Sequence, residues 1–213
     1  MSDVFTTIDA GDDMAAVSMV RDDPQLARLH GGSDGVTPVL YAMYRNRFEL
    51  AKALAEAAGA LELTEAAAVD DVVQVRARLA AGASVDDRTP DGFTPLQLAA
   101  YFGAPAAAAE LIGSGADLNA VAENPMRIQP LHAAAAGRHG DVAALLIEAG
   151  ADVNGKQSHG WTPLHSAAAN GDGDLVDRLI AAGADPAATN DDGKTAADVA
   201  RAGGHDKIAA QLG

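Results

Sequence analysis

The run "GWTPLHSAAANG" at residues 160–171 brings Trp161, His165 and Ser166 close together. An imidazole that takes a proton from a neighbouring hydroxyl is the basis of nucleophilic catalysis by serine. Successive side chains on a helix diverge by about 100 degrees, so His165 and Ser166 point apart and a relay between them is not expected. His132 holds the same place in "QPLHAA", where a ring nitrogen can serve backbone groups that turns leave unpaired. A zinc shared by His132 and His165 is also excluded. Packed helices lie about 8–10 Å apart, whereas each ligand must come within about 2 Å of the metal. His139 and His205 fall at helix starts, and His30 and His159 are isolated in turns.

Two further patterns resemble ligand sites and fail on their spacing. In "NGDGDLVD", Asn170, Asp172 and Asp174 alternate like the first ligands of a calcium loop. However, Leu175 stands at the required glycine bend and Ala181 at the closing glutamate. Aspartates there suit the positive N-terminus of a following helix instead. The glycines form no cluster ending in Lys-Ser or Lys-Thr, so there is no phosphate cradle. No catalytic residue, cofactor or metal is expected, and the chain is read as not an enzyme.

The composition limits the partners. Thirty acidic against fifteen basic residues give a net charge of −15, and no Lys/Arg run locally reverses it. Nucleic acid is thereby excluded, and a protein partner with a basic surface is favoured. The absence of cysteine removes disulfides and thiolate chemistry and fits a cytoplasmic setting. No stretch is apolar and long enough to span a membrane, and the N-terminus has no signal-like pattern. Hydrophobic residues make up 48% of the chain but aromatics only 4%, so the interior must be built from small aliphatic side chains.

The elements that position these residues follow a repeat. "GFTPLQLAAYFG" (92–103), "IQPLHAAAAGRHG" (128–140), "GWTPLHSAAANG" and "GKTAADVARAGG" (193–204) share one register. Pro95, Pro130 and Pro163 are 35 and 33 residues apart, with Ala196 in place another 33 on. Gly82, Gly115, Gly150 and Gly183 keep the same beat. Thr162 can cap a helix whose first residue is Pro163, as Thr94 can before Pro95, and Gly171 permits the left-handed turn that ends it. Second helices carry apolar stripes at Ala108, Leu111 and Ile112; Val142, Leu145 and Leu146; Val176, Leu179 and Ile180.

On these motifs the chain resembles the ankyrin repeat family, with its 33-residue period and T-P-L-H-x-A signature. The resemblance implies an all-α repeat solenoid, a curved array of antiparallel helix pairs with β-hairpin fingers between them. It also implies that His132 and His165 staple neighbouring repeats. The expected layout is one domain over 1–213: an N-terminal capping helix pair at 3–31, repeats at 34–60, 61–87, 91–120, 126–155 and 159–188, and a C-terminal capping repeat at 192–213. Gly59 and Gly82 are only 23 residues apart, so the repeat at 61–87 lacks a preceding finger, with Glu62 where proline is expected.

In such an array, function is expected on the concave face of finger tips and first helices. Those slots hold Val36, Tyr44, Arg45, Pro90, Asp91, Phe93, Tyr101, Phe102, Met126, Ile128, His159, Trp161, Asn170, Asp192 and Lys194, with five of the eight aromatics of the chain among them. The candidate partner-binding residues are Tyr44, Arg45, Phe93, Tyr101, Phe102, Met126, Ile128, His159, Trp161 and Asn170, since aromatics dominate interface hot spots. The competing reading for Phe93 and Trp161 is that they pack against fingers and stiffen them. The expected function is a monomeric, non-catalytic protein-interaction module. The alternative is an inhibitor or immunity-type regulator of one enzyme.

Overall fold

A computed structural model describes residues 3–32 and 35–213, and among these the ordered elements are helical. The N-terminal pair is α1 (Val4–Asp9) and α2 (Asp13–Asp22), followed by a 3-10 turn at Pro24–Arg28. Six helix pairs follow: α3 (Pro38–Tyr44) with α4 (Phe48–Ala58), α5 (Leu63–Ala68) with α6 (Val72–Ala80), α7 (Pro95–Phe102) with α8 (Pro105–Gly113), α9 (Pro130–Gly137) with α10 (Gly140–Glu148), α11 (Pro163–Ala169) with α12 (Gly173–Ala181), and α13 (Ala196–Ala202) with α14 (Asp206–Leu212). First helices stack on first helices, α5 on α7 and α7 on α9, and second helices stack on second helices, α6 on α8 and α8 on α10.

Small residues allow this stacking. Ala99, Ala100, Ala133, Ala134, Ala167 and Ala168 are fully buried, and helix separation scales with the side chains at the contact. In the second helices the stripe shifts slightly from the sequence expectation. Ile180 lies at the exposed rim, and Leu175 takes the inner place beside Val176 and Leu179. Asp172 caps α12 by accepting from the Leu175 N–H at 3.0 Å, which accounts for the aspartates of the calcium-like run.

The fingers are tight turns rather than paired strands. β pairing among the described residues consists of two isolated bridges, Gly31 with Val36 and Thr189 with Thr195. Each finger closes on backbone bonds across its turn, such as Thr89 N–H to the Phe93 carbonyl (2.9 Å) or Gln157 N–H to the Trp161 carbonyl (2.9 Å). The next donors reach sideways: Glu123 N–H to the Gly92 carbonyl, Ser158 to Met126 and Asp191 to His159, at 3.0–3.1 Å. Side chains add a second rung. Asp86, Asn119 and Asn154 accept from the N–H groups of Asp117, Asp152 and Asp185. The hydrogen bonds that would build a hairpin strand are spent on joining neighbours.

At 59–62 the chain turns without a finger. Gln74 of α6 accepts from the Leu61 N–H at 2.9 Å and donates to the Gly59 carbonyl at 3.2 Å, while Arg78 donates to the Leu61 carbonyl. Side chains from α6 thus satisfy the backbone groups of this turn. Glu62 is the N-cap of α5 and stands where four other first helices have threonine and α9 has Gln129, so Leu63, not Glu62, takes the place of proline. The capping pair is tied down by Arg47, which bonds the Ile8 carbonyl and the Asp13 carboxylate.

Candidate functional site

The third residue of each first helix determines how that repeat meets the next finger. In α11 this is His165, fully buried. Its Nδ1 accepts from the Thr162 N–H (3.3 Å) and lies 2.8 Å from the Thr162 hydroxyl, while Nε2 donates to the Lys194 carbonyl at 3.0 Å. In α9, His132 Nδ1 accepts from the Gln129 N–H (3.4 Å), and Nε2 donates to the Trp161 carbonyl at 3.1 Å. Gln97 of α7 caps the Thr94 N–H through its carbonyl oxygen and donates through Nε2 to the Ala120 and Ile128 carbonyls at 2.7 and 2.8 Å. Each of these side chains caps its own helix and staples the following finger.

This arrangement fixes the protonation of the histidines. Desolvation pushes His132 from 6.5 to about 4, against the Trp161 carbonyl that favours the charged ring, and burial lowers His165 as well. Both rings are neutral near pH 7. The nitrogens of His165 are committed to Thr162 and Lys194, and neither is turned to Ser166. A second pair of histidines packs at the far end of the repeats. The rings of His139 and His205 lie against Gly103 and Gly171, where a Cβ would meet ring atoms at 2.3 and 2.6 Å; both glycines are at positive φ. His205 Nε2 also lies 3.1 Å from the Ala169 carbonyl.

The ten candidate binding residues fall into two groups separated by the length of a first helix, about 12 Å for eight residues. Phe93, Met126, Ile128, His159 and Trp161 lie on the fingers. Met126 is 51% exposed and His159 is exposed, while Phe93, Ile128 and Trp161 are half-buried. The Trp161 ring sits 5.8 Å from that of His165. At the opposite end, Phe102 is the hub of an aromatic cluster. It stacks on Tyr44 at 5.9 Å and meets Tyr101 edge-on at 5.1 Å. Tyr101 is 46% exposed.

Phe48, 43% exposed, completes this cluster at 6.4 Å from Phe102, and sequence reasoning missed it. Its signal was its position at the start of α4, beside the turn that ends α3. Two candidates are engaged in holding structure. Arg45 lies 3.3 Å over the Tyr41 ring and 3.2 Å from Asp9, against the N-terminal cap. Asn170 donates to the Ala135 carbonyl of the preceding repeat at 2.9 Å. Val36, placed on the outer face by sequence, is fully buried in the hydrophobic core, and its carbonyl accepts from the Gly31 N–H.

Charge on the fingers is unequally engaged. Arg88 donates to the Gly92 and Val121 carbonyls at 3.0 and 3.1 Å and sits 3.3 Å from Glu123, and Lys156 donates to the Thr189 carbonyl at 3.0 Å. The carboxylates of Asp87, Asp152, Asp191 and Asp192 stay exposed. Among the described residues, no group of three or more His, Asp or Glu side chains converges to hold a metal ion, and no helix is long and apolar enough to cross a membrane.

A family model for ankyrin repeats, in three copies, matches residues 63–157 and 131–212. No curated protein matches the sequence. The stapled histidines, the period and this match agree, and the chain belongs to the ankyrin repeat family.

Proposed function

We propose that this chain is a non-catalytic, monomeric interaction module that holds a partner polypeptide across its fingers and first helices, on the concave side of the array. Proteins of this family generally serve as protein–protein interaction modules. The observation that carries the reading is the exposure of Met126 beside the partly open faces of Phe93 and Trp161 on the fingers, and of Tyr101 at the other end of the first helices. None of these four side chains makes a staple. Aromatic groups that are neither fully buried nor needed to join repeats are the usual anchors of an interface. The exposed finger carboxylates favour a basic partner surface, because like charge would be repelled and opposite charge steered inward. The cysteine-free composition fits a reducing cytoplasm.

The test is affinity capture from the source cell with the wild-type chain and with the Tyr101→Ala/Trp161→Ala double variant. A partner retained by the wild type and lost by the double variant supports the reading. Equal capture by both refutes the assignment of these residues. A captured enzyme whose turnover falls on binding would move the function to the inhibitor alternative.

A further inference from the structure

Asparagine is a chemically labile residue, and it is followed by glycine twice in the chain, at Asn154 with Gly155 and at Asn170 with Gly171. In such a pair the glycine nitrogen can attack the side-chain amide carbon, because no Cβ restricts the backbone that must bring the two together. The structure holds the two pairs differently. Asn154 is exposed on the turn of a finger, and its carboxamide is tied to the next finger: Nδ2 donates to the Gly183 carbonyl at 3.0 Å and Oδ1 accepts from the Asp185 N–H at 2.8 Å. Asn170 is half-buried at the end of α11. There Nδ2 donates to the Ala135 carbonyl at 2.9 Å, the Gly171 N–H donates to the Ala168 carbonyl at 3.2 Å, and the His205 ring packs on Gly171.

The Gly155 nitrogen is less engaged than its counterparts in the other fingers. Asp87, Ala120 and Ala188 hold the same place after Gly82, Gly115 and Gly183. Each donates its N–H back across the turn, to the carbonyls of Ser84, Asp117 and Asp185, at 3.1, 3.2 and 3.2 Å. No bond of that geometry holds the Gly155 N–H. The side chain of Gln129 lies over this residue: a Cβ at 155 would come within 2.0 Å of its Oε1, which itself has no hydrogen-bond partner. The residue that caps α9 therefore requires glycine at 155. In the other fingers the residue before this place is Asp86, Asn119 or Ala187, and none of them is followed by glycine.

We propose that Asn154 is a site of spontaneous covalent modification, deamidated by the nitrogen of Gly155 when the rung to Gly183 and Asp185 opens. The Gly155 nitrogen gives its proton to solvent and bonds to Cγ of Asn154. The bond from Cγ to Nδ2 breaks, and Nδ2 leaves as ammonia with a proton from solvent. Water then adds to one of the two carbonyls of the cyclic imide and opens it to aspartate or isoaspartate. The net change consumes one water, releases one ammonia and transfers no electrons. The rung sets the rate, because the carboxamide must leave both partners before Cγ can close the ring with the Gly155 nitrogen. In the aspartate product the acceptor survives, as Asp86 accepts from the Asp117 N–H at 3.1 Å. The donor to the Gly183 carbonyl is lost, and a charge is added beside Asp152 and Asp185. The modification thus loosens the same joint whose opening permits it.

This site does not rest on the partner-binding reading. The test is peptide mass spectrometry of the full chain aged in mildly alkaline buffer made with heavy-oxygen water, both folded and in urea. In the folded chain Asn154 is expected to convert at least tenfold faster than Asn170 or Asn119, with heavy oxygen taken up in the product. In urea the gap between Asn154 and Asn170 should shrink below threefold, since both precede glycine. His165→Ala removes the staple to the Lys194 carbonyl of the next finger and should accelerate Asn154 in the folded chain at least threefold. The proposal is overturned if Asn170 keeps pace with Asn154 in the folded chain, or if Asn154 reacts in urea and stays unmodified when folded. It is also overturned if His165→Ala, shown to be folded by circular dichroism, leaves the rate unchanged. Where that variant does not fold, the folded and urea rates of the wild type decide alone.

Discussion

The finger row from Gly92 to Lys194 and the fingerless turn at 59–62 meet the same demand in opposite ways. Both must satisfy backbone groups where one repeat passes to the next. The fingers do so between repeats: Gln97, His132 and His165 reach forward, and Glu123, Ser158 and Asp191 reach back. The turn does so within its own repeat, through Gln74 and Arg78 of α6. Neighbours in a solenoid contribute stability through their shared interfaces. The difference teaches that the stapled half is tied together by buried neutral donors, while the junction is held by local bonds and apolar packing and is left with a buried acceptor it does not use.

His165→Ala should have the largest effect among single changes that sharpen this contrast. It strands the buried Thr162 N–H and removes one of the two hydrogen bonds that the Lys194 carbonyl accepts, and a buried group left unpaired costs about 1–3 kcal/mol. A loss of about 2–3 kcal/mol in urea unfolding is expected, and a loss below about 0.5 kcal/mol would show that the staple contributes little. Glu65→Gln at the junction should act in the other direction. It replaces a buried carboxyl whose Oε1 is unpaired with an amide that keeps the cap and offers the buried Thr37 hydroxyl a donor, for a gain of about 1 kcal/mol at pH 7. Destabilisation would mean that the charge is already compensated. Tyr101→Ala should change stability least, by under about 1 kcal/mol, because its ring is nearly half exposed. A larger loss would make the Phe102 cluster structural and remove it from the binding surface.

Much of the architecture was legible because its markers are local. Pro95, Pro130 and Pro163 set the period, and the 23-residue interval from Gly59 to Gly82 announces the missing finger. The capping exchange between Thr162 and His165 follows from their three-residue spacing. What could not be read depends on contacts between distant repeats. The candidate stripe divides into two groups because a first helix separates finger from turn, and Phe48 and Tyr44 both meet Phe102, far along the chain. The displacement at Glu62 arose because a leucine stands where proline starts α3, α7, α9 and α11. The unpaired Glu65 oxygen was invisible for a related reason. Glu65 is an unremarkable residue until the position it occupies is matched to Gln97 and His132.

The central claim is that neutral donors secure the fingers and that the junction stands apart from them. Peptide-resolved hydrogen exchange across pH 7 to 5, corrected for intrinsic rates, tests it most directly. The folded pKa of His132 is depressed from 6.5 to about 4, and that of His165 is depressed too. The unfolded chain therefore takes up protons first, and stability falls as pH drops below 6.5 and levels off near 4, by up to about 3 kcal/mol for His132. Glu65 is raised above 4.5, so its effect is reversed: the folded chain holds the proton more tightly, and acidification favours it. The account predicts that amides of 150–195 lose protection as pH falls while those of 60–75 hold or gain it. Equal loss in both regions would contradict it.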